Sequence, residues 1–417
     1  MRICPRTAGL TSVFLFCFSP HAAAYSVLTH EALVDTLWRS AFAPALVARF
    51  PAATEDELKE AHAYAYGGCI IQDLGYYPFG SRFYSDLTHY VRSADFVQAL
   101  VNDSETLNEL AFAMGAVAHY GADVDGHRIA VNRAVPILYP KLRAKYGDEV
   151  TYGDNPQAHL KTEFGFDVLQ VARGNYAAEA YHDFIGFHVA KDLLDRAFQE
   201  TYGLRLKDLF GSLDLALGTY RFAVSSLIPK ATKAAWMAKK DDIQKLTPGV
   251  TQKRFLYNIR RADYTKEWGS DYRKPGIFAR FLAVLMRVLP KIGPLRGFQF
   301  RVPTPEAEKM FASSFDAAVQ LDQRSFAEIR GKALKLSNLD LDTGRPVSPG
   351  EYALTDQTYD RLVKKLEERK FVDVSGELRA DILRFYGEMK APDPHGIDGE
   401  LGALKAYVPQ INTDAPR

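Results

Sequence analysis

Apolar residues recur at helical spacing through the first two thirds of the chain. A clear example is the face formed by Leu107, Leu110, Ala111, Met114, Val117 and Ala118. Residues three or four positions apart lie on the same side of an α-helix. Alternating strand patterns are scarce before residue 290. The sequence therefore predicts an all-α fold, a compact helical bundle, followed by a mostly helical C-terminal extension.

Clusters of Gly, Pro, Asn and Asp predict where the helices are interrupted, at 67–68, 76–80, 136–140 and 147–156. A further change of composition follows Trp236. We therefore predict a catalytic domain over 25–238 and an extension of unassigned role over 239–417. Within the extension, the segment 272–305 is basic and apolar and carries no acidic residue.

The first 24 residues have the three-part pattern of a cleaved signal peptide. Arg2 and Arg6 precede a short apolar run, and small residues come before Tyr25. The run is too short to span a bilayer, and no later stretch is long and apolar enough to do so. We expect cleavage after Ala24, a mature chain that begins at Tyr25, a secreted or periplasmic location, and no integral membrane segment after cleavage.

Charge and cysteine content limit the function classes. The chain has 52 basic and 51 acidic residues, and removal of Arg2 and Arg6 gives a net charge near −1. Such a balance provides no global field for binding a polyanion. Of the three cysteines, only Cys69 lies outside the predicted signal peptide, so no internal disulfide is expected in the mature chain.

The segment AVAHYGADVDGHRIAV contains the first candidate metal ligands. His119, Asp123 and His127 stand at i, i+4 and i+8, so a continuous helix would place all three on nearly one face. Small neighbours would allow another helix or a metal cluster to approach. A buried core histidine or a surface ion pair is the alternative for each residue taken alone.

Other segments repeat this chemistry. His159 and Glu163 are again four residues apart on a predicted helix, and Asp73 and His89 flank an aromatic loop. His30 opens an amphipathic helix just after Tyr25, whose free α-amino group could chelate a metal. Imidazole and carboxylate ligands without cysteine suit hydrolytic rather than structural zinc.

This ordered series resembles the zinc-dependent phospholipase C family, and its HxxADxxxH form over His119–His127 is most similar to the phospholipase C/D branch. The family is related to the fungal single-strand-specific zinc nucleases and has an α-helical fold with three zinc ions. The resemblance implies the following ligands: Asp73, His89, His119 and Asp123 for one zinc; the Tyr25 amine and carbonyl, His30 and the shared Asp123 for a second; His127, His159 and Glu163 for a third.

The resemblance also implies a phosphodiesterase that acts on phospholipids through a water activated between zinc ions. Asp123 would then be the bridging catalytic carboxylate, and Asp73 the candidate for accepting a proton. Two alternatives remain open: a single-strand nuclease with the same metals, the only case in which nucleic acid is a partner, and a non-catalytic binding protein stabilised by zinc.

Three further patterns have competing interpretations. The segment 277–289 could form a helix in peripheral contact with a membrane, or an amphipathic helix packed on its own domain. The aromatic residues between Asp73 and His89 could line a substrate wall or belong to the core. Asp340, Asp342 and Thr343 are interpreted as a turn.

Overall fold

The computed structural model describes residues 27–175, 187–224, 228–261, 300–388 and 396–407. Up to residue 175 the helices are α1 (Val27–Leu37), α2 (Ala43–Arg49), α3 (Glu55–Ile70), α4 (Arg82–Tyr90), α5 (Ser93–Asn102), α6 (Leu107–Asp125), α7 (Asn132–Leu138), α8 (Pro140–Tyr146) and α9 (Pro156–Arg173). A π-helical segment (Trp38–Phe42) precedes α2, a 3-10 segment (Ile71–Tyr76) follows α3, and a second π-helical segment (Gly126–Val131) follows α6.

The later helices are α10 (Lys191–Tyr202), α11 (Leu206–Leu209), α12 (Leu213–Phe222), α13 (Ile228–Leu246), α14 (Gln252–Arg261), α15 (Pro305–Arg330), α16 (Ala353–Glu368), α17 (Gly376–Gly387) and α18 (Asp398–Ala406). A two-stranded antiparallel hairpin, β1 (Leu339–Asp340) with β2 (Arg345–Pro346), is the sheet in the described part of the chain. The predicted all-α fold with a mostly helical C-terminal extension is confirmed.

The helices at the centre of the bundle begin at strong capping signals. At the start of α6, the Thr106 hydroxyl accepts from the Glu109 amide, and the Glu109 carboxylate accepts from the Thr106 amide. Thr54 and Glu57 form the same capping box at the start of α3. Each box satisfies two of the backbone N–H groups that a helix start leaves without a partner.

The glycine pair Gly67–Gly68 was predicted to interrupt a helix, and this prediction is wrong. Both residues lie inside α3, which continues to Ile70. A methyl group at Gly68 would overlap the carbonyl oxygen of Phe112 on α6, and one at Gly115 would overlap the carbonyl oxygen of Ala65 on α3. The glycines therefore serve close helix packing, and the tertiary contact outweighs their weak helix propensity.

The helix that carries His119 and Asp123 changes its winding before His127. Asp125 is the last α-helical residue, and the segment Gly126–Val131 is π-helical. The expectation of one continuous α-helix from His119 to His127 is therefore wrong, because His127 lies in the π-helical segment. Such π-helical segments are rare and occur often at functional sites.

The described C-terminal region packs directly on the helices before residue 175. Asp322 on α15 lies where a side chain at Gly121 of α6 would be. Asn338 accepts hydrogen bonds from the amides of Ala94 and Asp95 at the start of α5. Helix α13 crosses the predicted domain boundary at 238/239, with a non-helical conformation at Lys239. Residues 272–299 of the basic segment 272–305 lie outside the described residues.

Among the described residues, no helix combines the length and the apolar character that crossing a bilayer requires.

Candidate metal centre

Eight of the predicted metal-binding side chains lie in three buried groups. The groups are His30 with His119 and Asp123; Asp73 with His89 and His119; and His127 with His159 and Glu163. Within each group, one ligand atom per residue lies within 4.8 Å of the others. Each of the eight residues is at most 4% exposed. Tyr25, the ninth predicted ligand, lies outside the described residues.

Asp123 links the first two groups. Its Oδ2 lies 3.1 Å from Nε2 of His119 and 3.3 Å from Nε2 of His89, while its Oδ1 lies 3.5 Å from Nε2 of His30. Asp73 Oδ1 lies 3.4 Å from the same nitrogen of His89. One carboxylate therefore faces imidazoles from three separate helices, which is the arrangement that a shared ligand requires.

Hydrogen bonds on the far side of the rings set the direction of the inward nitrogens. His89 Nδ1 lies 2.7 Å from the carbonyl oxygen of Ser85, and His119 Nδ1 lies 2.9 Å from that of Cys69. A carbonyl can only accept, so Nδ1 carries the proton and donates, and in the neutral ring the lone pair of Nε2 faces the group. This is the usual way in which a protein orients a metal-binding histidine.

The third group is built in the same way from two helical segments. His127 Nδ1 donates to the carbonyl of Leu341 at 2.8 Å, and its Nε2 lies 4.0 Å from Oε1 of Glu163. His159 is reversed: Nε2 lies 2.8 Å from the side-chain oxygen of Asn132, while Nδ1 lies 2.7 Å from Glu163 Oε1. Both rings therefore present a lone pair to the Glu163 carboxylate.

The electrostatics of these groups favour a cation. Burial lowers the pKa of His159 well below its ordinary value, so the ring is neutral and can donate a lone pair. Burial opposes ionisation of Asp123, but His119, His89 and His30 outweigh it and hold its pKa well below the usual range. Burial raises the pKa of Glu163, and the nearby carboxylates add to this rise.

Several inward atoms also lack hydrogen bonds. Both oxygens of Asp73 and Asp123, Oε1 of Glu163, Nε2 of His127 and Nδ1 of His159 are buried without a hydrogen-bond partner in the described part of the chain. Buried polar atoms are normally paired, so convergent acceptors without donors fit a bound metal ion. The imidazole and carboxylate donor set suits zinc.

The grouping differs in one respect from the ligand sets that the resemblance implies. His119 lies within reach of His30 and Asp123 as well as of Asp73 and His89, so it borders both of the first two groups. The stacked rings of His30 and His119, with centroids 4.4 Å apart, bring these groups together. The third set, His127, His159 and Glu163, is the same as predicted.

The aromatic residues near Asp73 divide between site and core. Tyr76 packs near His89, with ring centroids 5.8 Å apart, and also near Tyr152. Tyr84 is fully buried between Phe198 and Phe210. Tyr76 and Tyr152 thus border the metal groups, whereas Tyr84 belongs to the core.

Sequence reasoning missed the residues that orient the third group. Leu341 acts through its backbone carbonyl, which has no signature in a side-chain pattern. Asp342 was interpreted as part of a turn, yet its Oδ1 lies 3.6 Å from Nδ1 of His127 and 3.5 Å from Nε2 of His159. Asn132, five positions after His127, was a sequence signal that could have been recognised as a partner for a second histidine.

A helical bundle with buried groups of histidine and carboxylate, and without cysteine among these residues, is typical of metal-dependent hydrolases. Residues 29–212 match the family model described as zinc-dependent phospholipase C. This region therefore carries a domain of that family, which implies a zinc-dependent phosphoric diester hydrolase. Searches of curated proteins and of solved structures gave no match.

Proposed function

We propose that this protein is an exported phospholipase C-type enzyme that hydrolyses phospholipids and releases the phosphorylated headgroup. The observation that carries the proposal is the position of Asp123, whose two oxygens face His30 on one side and His89 and His119 on the other. A carboxylate shared between metal groups would hold metal ions close together, and adjacent metal ions can stabilise both the attacking and the leaving oxygen in phosphodiester hydrolysis.

Zinc at these groups would supply a water of lowered pKa and positive charge for the phosphoryl oxygens. The protein's own part is to fix the ligands. Backbone carbonyls of Ser85, Cys69 and Leu341 hold three of the imidazoles, each through a hydrogen bond between 2.7 and 2.9 Å. Ligands held in this way need little reorganisation during the reaction, which lowers its barrier.

Asp73 is the proposed proton acceptor for the attacking water. It is 1% exposed, and neither of its oxygens has a hydrogen-bond donor of good geometry in the described part of the chain. Burial raises its pKa. A proton on an Asp73 oxygen could then pass to the leaving alcohol oxygen.

Three zinc ions per chain are part of the proposal. The three buried groups support this number. The third group consists of His127, His159 and Glu163 and does not include Asp123. The second group offers His30, His119 and Asp123, and we propose that the amine and carbonyl of Tyr25 complete it after cleavage at Ala24. An exported location, secreted or periplasmic, follows from the same cleavage.

A phospholipid substrate is supported by the family and by the rings of Tyr76 and Tyr152 beside the metal groups. The decisive experiment combines metal analysis of the mature protein with hydrolysis assays on phosphatidylcholine, phosphatidylinositol and single-stranded DNA. We expect about three zinc ions, following the family, and release of phosphorylated headgroup.

Cleavage of single-stranded DNA without release of a headgroup would contradict the phospholipase proposal and support the nuclease alternative. Zinc binding without turnover on any substrate would leave only a stabilising role for the metal. Fewer than two zinc ions in carefully prepared mature protein would contradict the trinuclear centre. Contact of 277–289 with a membrane stays a prediction, because that segment lies outside the described residues.

A further inference from the structure

The turn of the 339–346 hairpin lies against the third metal group, although it is far from that group in sequence and beyond the region that matches the family model. The backbone of Leu341 connects two ligand-bearing segments: its N–H donates to the carbonyl of His89 at 3.0 Å, and its carbonyl accepts from His127 Nδ1. A single residue of the C-terminal region therefore bridges two predicted metal ligands.

Asp342 extends this contact to the other histidine of the group. Its Oδ1 lies 3.6 Å from His127 Nδ1 and 3.5 Å from His159 Nε2, the two ring nitrogens that point away from Glu163. Asp342 is fully buried, and this oxygen has no hydrogen-bond partner in the described part of the chain. The carboxylate is therefore placed on the outer side of both imidazoles.

The other oxygen of Asp342 fixes the carboxylate in that position. Oδ2 accepts from the amide of Tyr152 at 3.0 Å and from the hydroxyl of Tyr352. The backbone carbonyl of Asp342 accepts from the side-chain amide of Asn132 at 2.7 Å. Asn132 in turn contacts His159 Nε2, so the same hairpin also holds the residue that orients the second ring.

We propose that Asp342, together with the Leu341 carbonyl, is a positioning element for the third zinc site, and that this is one role of the C-terminal extension. The inference rests on the proposed zinc chemistry of His127, His159 and Glu163. Coordination of a metal draws electron density from an imidazole, and a carboxylate on the outer side of the ring stabilises that charge. Asp342 faces both imidazoles of the site and would strengthen both zinc–nitrogen bonds.

The variant Asp342→Asn removes the negative charge of the side chain and keeps its shape. Its amide oxygen can still accept from Tyr152 and Tyr352, but its NH₂ group would then face the outer N–H groups of both rings. We expect zinc at this site to bind about 10- to 100-fold more weakly, the usual effect of losing such a partner. Zinc at the two groups around Asp123 should be retained.

A matched control is Asp381→Asn on α17. Asp381 is also a buried carboxylate of the C-terminal region and also accepts from a tyrosine hydroxyl, that of Tyr359 at 2.9 Å. It lies in none of the metal groups. A milder variant, Tyr352→Phe, removes one donor to Asp342 Oδ2 and keeps the carboxylate, so a smaller loss of zinc affinity is expected.

The readouts are zinc retained per chain against a graded chelator, and the visible absorption of the cobalt(II)-substituted protein. Selective loss of one zinc and a changed cobalt spectrum in Asp342→Asn, with Asp381→Asn unchanged, would support the inference. Wild-type zinc retention and spectrum in Asp342→Asn would overturn it. Lower thermal stability of the zinc-free variant alone, with unchanged metal binding, would also overturn it.

The same measurements also cover two further cases. If Asp342→Asn does not fold, Tyr352→Phe decides, and unchanged zinc affinity in that variant contradicts the positioning role. Wild-type protein that binds no metal at His127, His159 and Glu163 also overturns the inference. Failure of the proposed function is distinct from these results, because it would show as absent phospholipid hydrolysis by wild-type protein with full zinc content.

Discussion

Asp123 Oδ2 lies 3.1 Å from Nε2 of His119, one helical turn earlier on α6. Since both residues lie on one rigid helix, the backbone fixes their separation, and His30 and His89 approach the same carboxylate from α1 and α4. The carboxylate is therefore the point at which three helices meet at the metal centre.

Substitution Asp123→Asn should abolish most activity. An amide cannot act as a charged bridge between two metal groups, so we expect kcat/KM to fall by about 10³-fold or more. Zinc content should also fall, as measured on the purified mature protein. Asp125→Asn is the matched control, because Asp125 lies on the same helix but pairs with Arg128. Equal activity of Asp123→Asn and wild type would contradict the proposed centre.

Removal of zinc should destabilise the fold reversibly. Asp73, Asp123 and Glu163 are buried acids whose charges the metal would balance. A ligand that binds only the native state at 1,000 times its Kd contributes about 4 kcal/mol of stability. Chelation should therefore lower the unfolding temperature in calorimetry, and added zinc, but not magnesium, should restore it. A melting curve that does not respond to chelation would argue against bound zinc at these groups.

The close packing of α3 against α6 leads to a prediction that concerns stability only. Gly115→Ala places a methyl group against the carbonyl oxygen of Ala65, so the helices must separate and stability should fall by about 1–3 kcal/mol. Gly218 lies within α12, and a methyl group there would meet no described atom within 4 Å, so Gly218→Ala should raise stability by about 0.5–1 kcal/mol. Denaturant unfolding measures both, and equal effects would contradict the packing.

Asp322 should make stability depend on pH. It is fully buried, both oxygens lack hydrogen-bond partners in the described part of the chain, and burial raises its pKa well above the usual value. The folded state thus binds the proton more tightly than the unfolded state. The resulting stability is present below the unfolded pKa, about 4, and is lost as pH rises toward the folded pKa.

Asp322→Asn removes this dependence. At neutral pH we expect it to stabilise the protein by about 1 kcal/mol or more, because an unpaired buried acid is replaced by a neutral group. Exposed Asp316, on the same helix, is the control, and Asp316→Asn should change little. Unfolding free energies compared at about pH 5 and 8 test the sign, and greater stabilisation by Asp322→Asn at the lower pH would contradict it.

The predicted N-terminus can be tested through the metal. If the Tyr25 amine completes the second zinc site, an extension before Tyr25 should cost one zinc and most activity. Removal of the extension by a protease that leaves Tyr25 first should restore both. Full activity and full zinc content in the extended form would count against coordination by Tyr25.

The sequence predicts the helical class and a candidate site because both depend on local spacing. Pairs such as His159 and Glu163 fall on one face at i and i+4, and the described members of the predicted set converge in three groups. Their roles as zinc ligands stay predictions. The prediction failed where a tertiary contact outweighs a local preference, as at Gly67–Gly68 inside α3.

The contribution of the 339–346 hairpin could not be predicted from spacing. The DLDTG segment was interpreted as a turn, and it is one, since Asp340 accepts from the amides of Asp342 and Thr343. The same segment also contacts His89 and His127 through backbone groups of Leu341, and local sequence carries no signal for such distant pairing.

Cys69 provides a buried thiol whose accessibility to reagents can be measured in the natural chain. Its carbonyl accepts from His119, while its thiol is fully buried and donates to the carbonyl of Tyr66. Burial raises the pKa of the thiol, so it resists alkylation in the closed structure. The rate at which a thiol reagent modifies mature protein would therefore measure how often the helices around His119 separate, with no label introduced into the chain.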